Sequence, residues 1–309
     1  HGLVVGSFGS LAAIDTTLFM ATPIISTGLA VAIAQQAGLF NVGAEGQLYF
    51  GAFAATLVGI YLGDLPAIIV VPVAFIVGAA AGAALAAVAA ALKNWLGAHE
   101  VITTIMLNFI AIEFTSYLVN YHFQVPGGLA PQTPEIGPGA VLPPLFRGYQ
   151  VSGMFFIAIF LLGLYALMTY RSRLGFEIRA VGASLGASEA AGINPYRTRM
   201  LAMVLSGAFA GLAGAGEVLG NFGRFIDRFS PGYGFDGVTV AIMGQGHPLG
   251  ILAGALVVGG LRSAGTYLDL FTKIPIDFAV LLQGLIILLI TAPKLIQSLG
   301  NLGRRWRRG

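Results

Sequence analysis

Cysteine is absent from these 309 residues, and charged side chains are scarce at 9% of the chain. Without cysteine, disulfides, thiol nucleophiles and thiolate metal sites are excluded. Soluble domains carry roughly 25% charged residues, whereas this chain has 57% hydrophobic residues and a mean hydropathy of +0.85. The composition therefore predicts an all-α polytopic membrane protein.

Motifs for catalysis and nucleotide binding are missing as well. No G-x-x-x-x-G-K-[ST] sequence occurs, so the chain has no P-loop. The four histidines show no metal-ligand spacing, which argues against a metal site. Residues 182–186 match G-x-S-x-G, but a nucleophile elbow requires a strand before the serine and acid and histidine partners after it. We expect a transport subunit that is not an enzyme and binds no cofactor.

Basic residues set the orientation. The longest polar interval, 171–200, carries five arginines, and the end of the chain, 294–308, carries five more basic residues. Basic residues close to membrane spans mark the cytoplasmic side. The net charge of +3 is thus better explained by orientation than by nucleic acid. The sequence predicts a cytoplasmic region at 171–199 and a basic cytoplasmic tail at 294–309.

Apolar runs of about 20 residues predict membrane-spanning helices. The eight runs are 18–34, 48–62, 65–92, 101–120, 153–170, 198–219, 249–267 and 276–292. Both basic regions are cytoplasmic, so an even number of crossings must separate them, and the short segment 236–246 supplies the missing one as a broken helix. About nine crossings result. They leave the first residues outside, and a cytoplasmic N-terminus would need one more helix upstream of His1.

Two irregular intervals are expected outside the cytoplasm. Prolines and glycines forbid a helix through 121–152, and open backbone cannot face lipid, so this interval is predicted as an extracytoplasmic loop. The polar interval 221–235 is expected on the same side. Between the cytoplasmic region and the span at 198–219, Asn194 and Pro195 predict an N-cap and first helical residue.

Glycine-rich interruptions occur in both halves of the chain. They are GLFNVGAEGQ at 38–47 and GFDGVTVAIMGQGHP at 234–248. Such paired interruptions indicate an internal repeat with a transport site at its interface. Gly78 and Gly82, at GxxxG spacing, indicate close helix packing.

Polar side chains within apolar spans are costly and are therefore candidates for function. The predicted substrate-pathway residues are Asn41, Glu45, Gln47, Asn108, Glu113, Asp236 and Gln245. An alternative for Glu45 and Asp236 is to cap broken helices, where a carboxylate complements exposed N–H groups. Four phenylalanines are candidates to stack on a ring of the substrate or simply to pack or face lipid, namely Phe40, Phe50, Phe109 and Phe235.

Four motifs in order carry a family resemblance. They are LFNVGAEGQ at 39–47, EVITTIMLNFIA at 100–111, RAVGASLGASEAAGI at 179–193 and GFDGVTVAIMGQGHPLGI at 234–251. With them, residues 22–293 resemble the membrane subunits of ATP-binding cassette importers of the ribose and branched-chain amino acid permease superfamily. The nucleoside branch, which includes guanosine permeases, is the most similar.

This resemblance implies one permease domain over 1–309 with the ten-helix type II importer fold, its N-terminal helix missing here. It implies a bacterial cytoplasmic membrane, a second homologous permease, ATPase subunits that bind ATP and Mg²⁺, and an extracytoplasmic substrate-binding protein. The helix equivalent to 184–192 docks on the ATPase. The implied coupling residues are Arg179, Ser184, Ser188, Glu189 and Gly192.

The function expected from these observations is import of nucleosides by alternating access. Two alternatives remain open at this point. One is a simple-sugar permease of the same superfamily, for ribose or a similar sugar. The other is an ion-coupled secondary transporter that works without an ATPase.

Overall fold

Helices dominate the computed structural model, which describes residues 2–125, 127, 130–146, 148–271, 281–282 and 284–285. Over these residues the chain forms eleven α-helices and no strand. They are Gly2–Phe8 (α1), Leu11–Gln36 (α2), Ala44–Leu62 (α3), Ala67–Leu96 (α4), Glu100–Leu118 (α5), Met154–Arg171 (α6), Arg173–Ala183 (α7), Leu185–Ala190 (α8), Pro195–Glu217 (α9), Tyr233–Gly244 (α10) and Pro248–Phe271 (α11). Most of the predicted crossing at 276–292 and all of the tail at 294–309 lie outside the described residues.

Eight of the nine predicted crossings correspond to helices in this structure. Six helices, namely α2, α4, α5, α6, α9 and α11, are long and apolar enough to cross a membrane. The helix α3 is less apolar because Glu45 and Gln47 lie in its first turn. The helix α10 has only 12 residues, which confirms the predicted broken helix at 236–246. The end of the molecule that bears the arginines of 171–200 is called cytoplasmic, and the opposite end is called extracytoplasmic.

Polar side chains define where several helices begin. Ser172 and Ser184 accept hydrogen bonds from the first-turn N–H groups of α7 and α8. Asn194 accepts from Arg197 N at 3.0 Å, with Pro195 as the first helical residue of α9. The predicted cap is therefore confirmed, and it satisfies an N–H group that the helix itself leaves free.

Small residues allow α3, α4 and α9 to pack in close contact. A methyl group added at Gly78 of α4 would lie 2.9 Å from the Ala215 Cβ of α9 and 3.0 Å from the Gly51 carbonyl oxygen of α3. Gly82 packs directly on the Gly207 backbone. The predicted packing role of Gly78 and Gly82 is confirmed, and the helices approach as small-residue motifs permit.

The packing supports the predicted repeat. The helices α2, α3 and α4 correspond in order to α9, α10 and α11. The contacts are reciprocal, because α9 packs on α3 and α4 while α2 packs on α10 and α11, and α2 and α9 pack on each other. Since α2 runs towards the cytoplasm and α9 away from it, this relation is that of an inverted repeat.

One sequence-based expectation is wrong in part. Residues 221–235 were predicted as a polar loop outside, but the structure packs this loop against α3 and the 121–152 loop, where Ile226 pairs with Gln132. On both sides of this bridge the loop packs along α3. Phe225 packs on Phe53, and the ring centroids of Phe229 and Tyr49 are 4.9 Å apart. Aromatic packing on α3 offsets the cost of bringing a loop between the helices.

Candidate functional site

The loop before α3 is held by buried amide side chains. Asn41 is fully buried; its Oδ1 accepts from Gly43 N at 2.9 Å, and its Nδ2 donates to Gln47 Oε1 at 2.9 Å and to Ser206 Oγ at 2.7 Å. Asn108 of α5 accepts from Gly46 N at 2.8 Å and donates to the Val42 carbonyl at 2.9 Å. These bonds satisfy the backbone where α3 begins.

The N-terminal ends of α3 and α10 meet at Glu45. Its carboxylate, 2% exposed, lies in the first turn of α3, and Oε2 accepts a hydrogen bond of 2.5 Å from Gly234 N in the first turn of α10. Helix N-termini carry partial positive charge, so a carboxylate between two of them is stabilised by both. Glu45 therefore caps a helix of the opposite half, as the capping alternative predicted.

This meeting point, which we call the junction, lies deep between the helices. Asn108 is eight residues along α5 from Glu100, and Ser206 is eleven residues along α9 from Pro195. At 1.5 Å per residue these positions are about 12 and 17 Å from the cytoplasmic ends of their helices. The hydrocarbon core is about 30 Å thick, so the junction is close to its middle.

Asp236 forms the second charged contact of the junction. It lies in the first turn of α10, 3% exposed, and pairs with Nε of Arg262 on α11. Nη2 of Arg262 also donates to the Pro231 carbonyl at 3.1 Å, and its guanidinium lies 5.9 Å from the Tyr233 ring centroid. The pair thus connects α11 to the loop and to the start of α10.

Five of the seven predicted pathway residues are brought together here. They are Asn41, Glu45, Gln47, Asn108 and Asp236, and each is at most 3% exposed. The first four bond to the backbone where α3 and α10 begin, to one another or to Ser206, and Asp236 pairs with Arg262. In this conformation they hold the junction rather than face an open cavity.

The other two predicted pathway residues lie elsewhere. Gln245 is exposed just after α10, with a φ of +48°. It lines a recess of about 310 Å³ together with Gln36 and Arg179. Glu113 lies on an open face of α5, where its carboxylate is 2.5 Å from Nη2 of Arg228 in the α9–α10 loop.

The predicted coupling region forms a short exposed helix between α7 and α9. Glu189 and Gly192 are exposed, whereas Ser188 is buried and its hydroxyl donates to the Leu185 carbonyl at 2.8 Å. Arg179 differs from these residues. It is half-buried on α7, with its guanidinium carbon 5.5 Å from the Tyr170 ring centroid, and so lies beside the helix bundle rather than on the exposed helix.

Sequence reasoning missed several polar residues that the structure buries or pairs. Arg262, in the span at 249–267, carried a usable signal, because a lone arginine in an apolar run indicates function or a buried partner. Glu217, fully buried near the end of α9 with Oε1 accepting from Asn221 at 2.8 Å, carried the same signal. Ser206 and Arg228 had none, because a serine in a span and an arginine in a loop are ordinary.

Comparison with known proteins assigns this architecture. Residues 13–291 match the family described as the branched-chain amino acid transport system / permease component. The chain belongs to this family. A member of this permease family is a transport subunit and not an enzyme, and it is a multi-pass protein of the cytoplasmic membrane, which confirms both predictions and the suspected resemblance.

Three relatives of the permease are informative. It is 36% identical over 298 residues to the guanosine ABC transporter permease protein NupP of Bacillus subtilis, covering 94% of this chain and 84% of NupP. It is 35% identical over 274 residues to the nucleoside ABC transporter permease protein NupB of Lactococcus lactis, covering 84% and 74%. The glucose ABC transporter permease protein TsgB13 of Haloferax volcanii is 34% identical over 284 residues, covering 88% and 74%.

These relatives decide between the classes considered above. The permease is of the nucleoside or sugar importer type of ABC transporter, so the ion-coupled alternative has no support. Family membership also implies ATPase and substrate-binding partners.

Proposed function

We propose that this permease imports nucleosides, driven by ATP that is hydrolysed on partner ATPase subunits. Two relatives with 35% identity or more, NupP and NupB, are named for guanosine and for nucleosides and match most of this chain. ATP and Mg²⁺ bind to the ATPase subunits, and this chain binds no cofactor of its own. An extracytoplasmic binding protein delivers the nucleoside.

One observation carries the coupling mechanism, namely the exposed helix α8. It stands between α7 and α9, the latter of which reaches the junction through Ser206. A force applied to α8 by ATPase closure therefore acts on α9, and α9 packs on α2, α3 and α4. Rocking of the two halves about the junction would open the pathway alternately to each side.

A second, homologous permease completes the pathway. The face of α5 that bears Glu113 and the loop that bears Arg228 are open in the single chain. A charged pair on this face is not stable against lipid. The partner permease covers this face, and the substrate passes between the two subunits, while the apolar outer faces contact membrane lipid.

A second candidate function is favoured by one relative. TsgB13 is named for glucose and is 34% identical over 88% of this chain. A sugar permease would share the fold and the coupling helix and differ in what the pathway binds. Nucleosides and sugars both carry neighbouring hydroxyl groups, so the test must separate them by the base.

The experiment is ATP hydrolysis by the complex reconstituted in vesicles with its ATPase subunits, partner permease and binding protein. Guanosine, adenosine, uridine, ribose and glucose are added separately. Stimulation by the nucleosides alone supports the proposal. Stimulation by ribose or glucose alone contradicts it and favours the sugar alternative.

A further inference from the structure

An exposed ion pair lies along the middle of a membrane-spanning helix. Glu113 is thirteen residues along α5 from Glu100, which is about 20 Å from the cytoplasmic end. Its side chain is 63% exposed and that of its partner Arg228 is 62% exposed. Charges at this depth require water or a polar partner, so this face borders the aqueous pathway rather than lipid.

The backbone of Arg228 is unusual in a way that supports a role. Its φ is +54°, in the left-handed region that long side chains rarely adopt. Such a conformation costs free energy and persists where the surrounding structure imposes it, often at functional sites. Here the neighbouring Asp227 is bonded to Ser116 of α5 at 3.1 Å, so the loop is attached to α5 beside the exposed pair.

A shallow recess on α5 adjoins the pair. It is open on the side away from α5, and its lining residues Glu113, Ser116, Tyr117, Asn120 and Tyr121 form one face of α5 and of the helical turn that follows it. Its lining combines hydrogen-bonding groups with two aromatic rings, whose centroids are 5.1 Å apart.

We propose that Glu113 and Arg228 bind neighbouring hydroxyl groups of the sugar moiety of the substrate as it crosses the membrane. A carboxylate accepts hydrogen bonds from two adjacent hydroxyls, and a guanidinium donates to their oxygens. The rings of Tyr117 and Tyr121 provide an apolar surface for the base. An exposed ion pair contributes little to folding stability, so hydroxyls replace the Glu113–Arg228 contact readily.

This inference rests on the proposed function and adds to it a residue pair that distinguishes substrates. A second exposed pair offers a matched control. Arg224 of the same loop pairs with Glu135 of the extracytoplasmic loop. Both pairs join the α9–α10 loop to another element, but only Glu113 lies on a membrane-spanning helix beside the recess.

The test measures uptake of guanosine and 2′,3′-dideoxyguanosine by the reconstituted complex with Glu113→Gln, Glu135→Gln or the wild-type chain. The wild type should take up guanosine about tenfold faster, a ratio expected from hydrogen bonds to a charged group. Glu113→Gln should lower this ratio to about twofold, and Glu135→Gln should leave it unchanged. The same binding protein is used throughout, so its own discrimination cancels between variants.

An unchanged ratio in Glu113→Gln, or equal losses in both variants, would overturn the inference. Should Glu113→Gln fail to assemble, Arg228→Lys, which keeps the charge but loses the planar donor pair, must lower the ratio. If the wild type takes up glucose and no nucleoside, the proposed function is wrong. The same ratio measured with glucose and 2-deoxyglucose then decides the hydroxyl site separately.

Discussion

Single side chains close the junction between the two halves. Glu45 belongs to the first turn of α3 but accepts its hydrogen bond from the first turn of α10, so one carboxylate caps across the repeat. Asn108 of α5 likewise accepts a hydrogen bond from Gly46 N in the first turn of α3. Each side chain accepts the hydrogen bond that a water molecule would accept at the protein surface. Loss of either side chain therefore leaves a buried N–H group without an acceptor.

Replacing Glu45 by alanine should destabilise the permease by about 1–3 kcal/mol, because Gly234 N then lacks its acceptor in the interior. Glu45→Gln keeps an acceptor oxygen and should lose less. Thermal unfolding in detergent, followed by circular dichroism, measures both. Glu177→Ala, which removes an exposed pair with Arg173, is the control and should change stability by less than 0.5 kcal/mol. Equal stability of the alanine variant and the wild type would contradict this role.

The Asp236–Arg262 pair should behave as a coupled unit. Asp236→Asn or Arg262→Met alone leaves one buried charge without its partner and should cost about 3 kcal/mol each. The double variant should cost at least about 1 kcal/mol less than the sum. Denaturant unfolding of the four proteins measures this cycle, and strict additivity would show that the two side chains act independently.

At the scale of elements, the molecule is assembled from helices that touch backbone to backbone. The helices α3, α4 and α9 approach at glycines, so their spacing is fixed by main-chain atoms rather than by side chains that can change rotamer. The helices α3 and α10 both begin at the junction and run from it in opposite directions. Movement of one rigid group against the other is therefore expected to occur at the junction.

Gly78→Leu should lower stability by about 1–3 kcal/mol, because the added side chain must separate α4 from α3 and α9. Gly163→Leu on α6 is the matched control, since nothing lies within 4 Å of a methyl group at that position. The yield of monodisperse protein and its unfolding temperature measure the difference. Comparable losses in both variants would mean that leucine in any helix, and not close packing, is responsible.

Charge reversal on α8 should uncouple the permease without unfolding it. Glu189 is exposed, and Glu189→Lys changes the charge that faces the proposed ATPase groove. We expect about a fivefold to tenfold loss of substrate-stimulated ATP hydrolysis, as for a charge reversed at an interface. The unfolding temperature should not change. Asp64→Lys, in the exposed turn at the other end of the molecule, should leave hydrolysis intact, and loss there would contradict a local effect.

At the scale of the whole molecule, hydropathy predicted the order of the helices well. Long apolar runs and caps such as Asn194 are local signals, and they were sufficient for the spans, for α10 and for the repeat. The return of the α9–α10 loop was not predictable in this way. Its polar composition indicates exposure, whereas its position depends on Phe225 and Phe229 packing on an α3 that is distant in sequence.

The candidate site was predictable in composition but not in arrangement. Asn41, Glu45, Asn108 and Asp236 were predicted because burying a polar side chain in a span is costly unless it has a partner. It could not tell that these residues hold the junction while Glu113 faces an open recess. Arg228 lies in a loop, and only the structure shows its contact across to α5.

The brevity of α10 has a consequence for biogenesis. Twelve residues that include Asp236 are too short and too polar to enter a bilayer as an independent span. During synthesis α10 can take its final position only after α2 and α3, which it contacts in the folded protein, are already in the membrane. The second half of the chain therefore assembles on the first half, and the short length of α10 determines this order of insertion.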